Sequence, residues 1–163
     1  MIPFKKLLVP IDFSVHSERA LSVAADLARR YEASATVLHV WQPELFSVPE
    51  SYQLHDSGRL ASYPQHFDGL LKKARHTLQA AGVQEVESVL VQGAPVPEIL
   101  RFGQEGSFDL IVMGTHGRTG LSHAVLGSVA EQVVRRAGCA VVTIRLDGSP
   151  ATPDARHNKP ITA

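Results

Sequence analysis

Five short, mostly apolar runs, separated by stretches with helical periodicity, constrain this chain more than any other feature. The runs are residues 6–11 (KLLVPI), 35–40 (ATVLHV), 86–91 (VESVLV), 109–113 (DLIVM) and 140–144 (AVVTI). Runs of this length without strict alternation fit strands buried on both faces. Between them, Leu21, Ala24, Ala25 and Ala28 recur at helical spacing and predict a helix over Ser17–Glu32. Ser14 or Ser17 is placed to cap it. Phe67, Leu70, Leu71, Ala74 and Leu78 share one face of a second helix, Tyr63–Ala81, with Gly82 placed to end it. A short helix over Val96–Gly103 tolerates Pro97 in its first turn, and a last one spans Ser128–Ala137. Residues 42–61 carry scattered Pro, Ser and Gly and read as a long loop.

Strand and helix therefore alternate four times before a final strand. Such alternation implies right-handed crossovers and a parallel sheet covered on both faces. Sheets of this kind hold ligands at the carboxyl ends of their strands, where the strand order reverses. The segments to inspect are thus Pro10–Ser14, Val40–Pro43 and Met113–Ser128. The length of 163 residues fits one domain, expected over residues 1–146. The remainder, 147–163, holds three prolines and few apolar residues and is expected to be disordered.

Charge narrows the function classes. Sixteen basic residues balance sixteen acidic ones, which argues against a nucleic-acid binder held by counterion release. No Lys/Arg run marks a membrane surface, and no apolar stretch approaches the about 20 residues of a membrane helix. The first residues lack a signal-peptide pattern, and the lone Cys139 cannot form an internal disulfide. A cytoplasmic location is the default expectation.

The stretch from Gly114 to Ser128 (GTHGRTGLSHAVLGS) leaves the fourth strand and enters a helix. Glycines let a ligand approach the backbone closely. Ser128 with Glu131 three residues on matches a capping box, and free N–H groups at a helix start favour an anion. Arg118 and the hydroxyls of Thr115, Ser122 and Ser128 add donors suited to a polyphosphate. Glycines that end a strand or precede a helix also serve as plain punctuation. The stretch is not a Walker A loop, since no Gly-Lys-Ser/Thr occurs. Nor is it a dinucleotide fingerprint, which would follow the first strand.

Gly114, Gly117, Gly127 and Ser128, at spacings Gly–x2–Gly–x9–Gly–Ser, resemble in every position the ATP-binding motif of the universal stress proteins. Residues 6–14 (KLLVPIDFS) are similar to that family's opening strand, and residues 108–118 (FDLIVMGTHGR) to its fourth strand and loop. Residues 129–136 and 139–145 resemble its last helix and strand, so the likeness spans nearly all of residues 2–146. The resemblance implies a three-layer α/β/α sandwich with a five-stranded parallel sheet in the order 3-2-1-4-5. It implies binding of ATP, or another adenine nucleotide, with Mg2+ or Mn2+. Position by position it assigns Pro10 and Asp12 to ribose and phosphates, Val40 to adenine, and Met113 and Gly114 to the sheet end beneath the nucleotide. Gly117 and Arg118 would form the phosphate loop, and Gly127, Ser128 and Val129 the helix start that holds phosphates. Asp12, a carboxylate beside phosphates, makes sense if it accepts from a ribose hydroxyl or holds the metal through water. Alternatively it caps the helix after the first strand. The resemblance further implies a role in stress tolerance and a homodimer through the last strand.

Eight histidines are dispersed without a recognised zinc spacing. Of these His116 sits in the glycine-rich loop, where it could donate to a phosphate or simply face solvent. Trp41 follows the second strand and reads either as pocket rim or as ordinary partial burial. Cys139 reads as an inert thiol, and no nucleophile elbow supports a hydrolase triad. The leading functional reading is a nucleotide-dependent regulator that binds rather than turns over, with an unidentified protein partner. A slow ATPase or phosphotransferase, and a dimeric adaptor that binds no nucleotide, are the alternatives.

Overall fold

The computed structural model describes residues 4–42, 57–115 and 126–145, with side chains in the middle segment described from residue 66. The expected loop between the second strand and second helix, residues 116–125 and the 147–163 tail lie wholly or mostly outside the described residues.

The strands are β1 (Lys6–Pro10), β2 (Ser34–Trp41), β3 (Val86–Gln92), β4 (Leu110–Gly114) and β5 (Ala140–Ile144). They form one parallel sheet in the order β3-β2-β1-β4-β5. Central β1 and β4 are buried almost throughout, as continuous apolar runs require when both faces are covered. The helices are α1 (Val15–Tyr31), α2 (Ser57–Ala80), α3 (Pro95–Glu105) and α4 (Ser128–Arg136).

Alternation along the strands divides the core in two. Leu7, Val9, Val37 and Val112 face α1 and α2, where they meet Ala20, Ala24, Leu71 and Leu78. Leu8, Leu38, Ile111 and Met113 face α3 and α4, where they meet Ile99, Ala130 and Val133. This is the expected three-layer sandwich. Alanines on α1 let that helix lie close to the sheet, since Ala20, Ala24 and Ala28 are each at most 1% exposed.

Helix ends follow local chemistry. Ser14 caps α1, its hydroxyl accepting from the Ser17 amide, and Gly82 follows α2 at φ +94°, where a side chain is costly. Most helix bounds fall within two residues of expectation, and the start of α2 differs most. Helix α2 begins at Ser57, six residues before Tyr63, and runs through Pro64. A proline lacks the N–H a helix interior uses, so a helix that runs through it is not expected from sequence alone. Helix α4 starts at Ser128 as expected, but its N-cap is Gly127, with no side-chain cap bond. The Glu131 amide bonds the Gly127 carbonyl, and the Glu131 carboxylate pairs with Arg135 at 3.0 Å. The predicted Ser128–Glu131 capping box is therefore not formed.

Candidate functional site

The strand order reverses between β1 and β4, and a cavity of about 300 Å³ opens at their carboxyl ends. That volume lies at the small end of ligand sites, which run from roughly 300 to 1,000 Å³. Pro10 closes β1 and Asp12 follows it; both line the cavity. Val40 reaches it from β2, and Met113 and Gly114 from the end of β4. Gly127, Ser128 and Val129 bring the start of α4 to the same space. Eight of the eleven sequence-predicted site residues are thus brought together. His116, Gly117 and Arg118 lie outside the described residues.

The lining has two chemically distinct parts. Leu38, Val40 and Met113 rise from the sheet and meet Ile99 and Pro95 of α3 and Ala130 of α4. This part is apolar and suits a flat hydrophobic ring. The other part is backbone: Gly114, Thr115, Gly127 and the first turn of α4. Because Gly127 supplies no capping side chain, the first amides of α4 meet no side-chain acceptor of their own cap. Those N–H groups and the helix dipole suit an anion. The ends of the glycine-rich stretch are fixed: the Gly127 amide donates to the Thr115 carbonyl at 2.7 Å, and the Thr115 amide to the Ile144 carbonyl at 3.0 Å.

Among the described residues Asp12 is the one carboxylate in the lining. It also supports the helix cap. Its Oδ1 accepts from the Ser14 amide at 3.1 Å and from the Ser14 hydroxyl at 2.6 Å. The cap of α1 is thus Ser14 rather than Asp12, which braces that cap through Ser14 and borders the cavity. Among the described residues no cluster of three or more His, Cys, Asp or Glu could hold a metal by itself.

Gly114 has a packing reason as well. A Cβ there would come within 3.0 Å of the His16 carbonyl carbon and Cβ. The strand end and the first turn of α1 would have to part by a few tenths of an ångström to admit a side chain. Cys139 is half-buried, and its thiol is pushed up chiefly by burial and then by the charge of Asp109. That direction matches an inert thiol.

Sequence reasoning missed the α3 contribution, Pro95 and Ile99, and the floor residues Leu38 and Ala130. Pro95 follows Gly93-Ala94 at the carboxyl end of β3, which was a readable signal of a fourth strand end feeding the site. Leu38 and Ala130 carry no such mark, since an apolar residue lining a cavity looks like any core residue.

The sequence matches the profile of the universal stress protein family over residues 3–145. It is 31% identical over 166 residues to a Staphylococcus haemolyticus (strain JCSC1435) protein named as a universal stress protein, covering 96% of this chain and 98% of that one. Among solved structures, the universal stress protein UspA from Lactobacillus plantarum is 25% identical with a TM-score of 0.78, covering 89% of this chain and all of that one (100%). A universal stress protein in complex with cAMP shares the fold at 24% identity and a TM-score of 0.67, over 88% of this chain and 98% of that one. So does the Archaeoglobus fulgidus universal stress protein in complex with dAMP, at 24% identity and a TM-score of 0.63, over 88% and 100%. Among the described residues no helix is long and apolar enough to cross a membrane.

Proposed function

The chain belongs to the universal stress protein family, and we propose that it binds an adenine nucleotide, ATP first among them, as a nucleotide-dependent regulator in the stress response. The observation that carries this reading is the two-part cavity. An apolar slot of Val40, Met113, Pro95 and Ile99 lies beside an uncapped helix start, with a carboxylate in the same lining. A nucleotide has the matching parts: a flat base, a hydroxyl-bearing sugar and an anionic tail. The cAMP and dAMP complexes of two proteins with this fold support adenine as the base.

In this reading the base lies against Val40 and Met113, whose apolar and polarizable surfaces suit a purine face. Asp12 accepts from a ribose hydroxyl or from the water shell of a phosphate-bound metal. The amides of Ser128 and Val129 donate to phosphate at the start of α4, with Gly127 leaving room for it. Gly117 and Arg118 stay assigned to the phosphates by sequence resemblance alone, and His116 by its place in the same glycine-rich stretch. Mg2+ or Mn2+ fits here only as a phosphate-borne ion, since one carboxylate, Asp12, lines the cavity among the described residues. Bound there, it would neutralise phosphate charge while Asp12 held its water shell.

The same reading makes the protein a homodimer through β5, an edge strand whose residues after Ala140 are only half-buried.

Calorimetry with ATP and with Gly127→Leu tests the site. Gly127 has φ −59°, so leucine enters without backbone strain and acts only by filling space. Wild type should give measurable heat at sub-millimolar ATP, and the variant should lose about a hundredfold or more in affinity, the loss of several amide–phosphate bonds. Wild-type affinity in Gly127→Leu would move the ligand elsewhere, and no heat from wild type at millimolar ATP would favour an adaptor.

A further inference from the structure

We propose that His39, on the face of the sheet opposite the cavity, is the positioning residue that sets Asp12 in it. This rests on the cavity being a nucleotide site, in which Asp12 takes a ribose hydroxyl or a metal-borne water.

His39 follows Ala35 and Val37 by strand alternation, so its ring points toward α1 and α2 and is 5% exposed. Its neighbour Val40 lines the cavity on the other face. The β1–β2 ladder ends at the Pro10–Leu38 pair, and the Ile11 amide still donates to the Leu38 carbonyl at 2.9 Å. The Ile11 carbonyl is then met by His39 Nδ1 at 2.8 Å. A carbonyl only accepts, so Nδ1 carries the hydrogen. The side chain of His39 thus extends the sheet's hold on β1 past the last ladder pair, up to the residue before Asp12.

The residue after Asp12 is held by the same ring. Phe13 sits at φ +62°, a region that aromatic residues seldom adopt. Such backbone persists only where its surroundings over-determine it. The Phe13 ring centroid lies 4.5 Å from that of His39 and 6.0 Å from that of Phe67, stacked on the latter within 8°. Phe67 of α2 lies 4.6 Å from His39 in turn. Asp12 is therefore flanked by Ile11, bonded to His39, and Phe13, packed on His39. Its carboxylate is left to meet the Ser14 amide and hydroxyl at the cavity edge. Among the described residues His39, Phe13 and Phe67 are not in the cavity lining, and the turn that carries Asp12 links their ring cluster to it.

Two variants of the full chain test this. His39→Leu keeps apolar bulk between the phenylalanines and removes the donor; His39→Asn returns an N–H near the position of Nδ1. Calorimetry should show ATP affinity about tenfold weaker in His39→Leu, as the competent turn becomes a minor state, and mostly restored in His39→Asn. In the ligand-free protein the Ser14 amide resonance, which reports its bond to Asp12, should move in His39→Leu and return in His39→Asn. That second readout needs no nucleotide. If wild type fails to bind ATP, the site reading fails alone and the Ser14 resonance still decides the role of His39. An unmoved Ser14 resonance in His39→Leu overturns the proposal, as does equal disturbance in both variants, which would mark plain ring packing. Should His39→Leu not fold, Phe13→Leu removes the ring contact and leaves the cavity lining intact. There a similar tenfold loss is expected, and unchanged affinity with an unmoved Ser14 resonance overturns the proposal.

Discussion

Alanine at Gly114 should destabilise the fold although it adds one methyl group. The new Cβ would meet the His16 carbonyl carbon and Cβ at 3.0 Å and the His16 oxygen at 3.1 Å. Comfortable contacts between such carbons lie at about 3.5–4.0 Å, so the neighbours must give by a few tenths of an ångström. Neither side yields readily. His16 lies in the first turn of α1, fixed by the Ser14 cap bond to Ser17. Gly114 pairs with Ile144 of β5, and the following amide bonds the Ile144 carbonyl. The backbone at Gly114 is not in the left-handed region, so no backbone strain adds to the clash, which must outweigh the lower unfolded-state entropy of alanine. Overpacking of this kind costs about 1–3 kcal/mol. For a domain of this size that is a fall of about 3–9 °C in Tm. Gly69 is the internal control: it lies within α2, and a Cβ there meets nothing within 4 Å. Gly69→Ala should therefore raise stability by about 0.5–1 kcal/mol through helix propensity. Scanning calorimetry of both variants checks the pair. A Gly114→Ala protein that melts with or above wild type would refute the reasoning, because the strand end and the turn would then separate at no cost.

Three further outcomes are expected. Asp109 Oδ2 accepts the backbone amides of Lys5 at 2.6 Å and Lys6 at 2.8 Å, which hold its carboxyl below the usual range, the Lys5 bond most of all. A lowered folded value stabilises above the ordinary carboxylate range, near pH 4, and the benefit is lost as pH falls through the folded value. Asp109→Asn should cost about 1 kcal/mol at pH 7, discounted for the solvent around this pair, and little at pH 2 by urea unfolding; an equal loss at both pH values would contradict the bond. The Cys139 thiol, raised by burial and by Asp109, should react with a disulfide reagent at pH 7 more slowly than a free cysteine in denaturant. A rate equal to the denatured one would contradict that. Light scattering should give twice the monomer mass for wild type and the monomer mass for Val142→Pro, in the middle of β5; a variant that remains dimeric would place the interface elsewhere.

The sheet was legible because its strands are short apolar runs that need burial on both faces, and the order of elements left little choice of layers. Residues 110–114 and 140–144 show this: each strand is where its apolar run lies, to within a residue. The capping box at Ser128 misled because sequence spacing cannot see that Gly127 is pinned to Thr115. Gly127 is then the cap in place of Ser128, the Glu131 amide bonds the Gly127 carbonyl, and the Glu131 carboxylate is left to Arg135. The backbone-rich half of the cavity was legible through its glycines. The other half was only partly so. Val40 and Met113 could be placed at strand ends, while Leu38 and Ile99 look like core until the fold sets them around a space. His39 was invisible for a similar reason, since its role depends on Ile11 and Phe13, 28 and 26 positions away.

The central claim is that an adenine nucleotide occupies the space between the carboxyl end of the sheet and the start of α4. Titration of the isotope-labelled protein with ATP, followed through its backbone amide resonances, tests it directly. Saturable shifts should concentrate at Asp12, Val40, Gly114, Ser128 and Val129 and leave the cleft of Lys5, Arg29 and Glu85, at the amino ends of the strands, unmoved. Resonances that stay still at millimolar ATP, or that move only at that opposite cleft, would contradict the account.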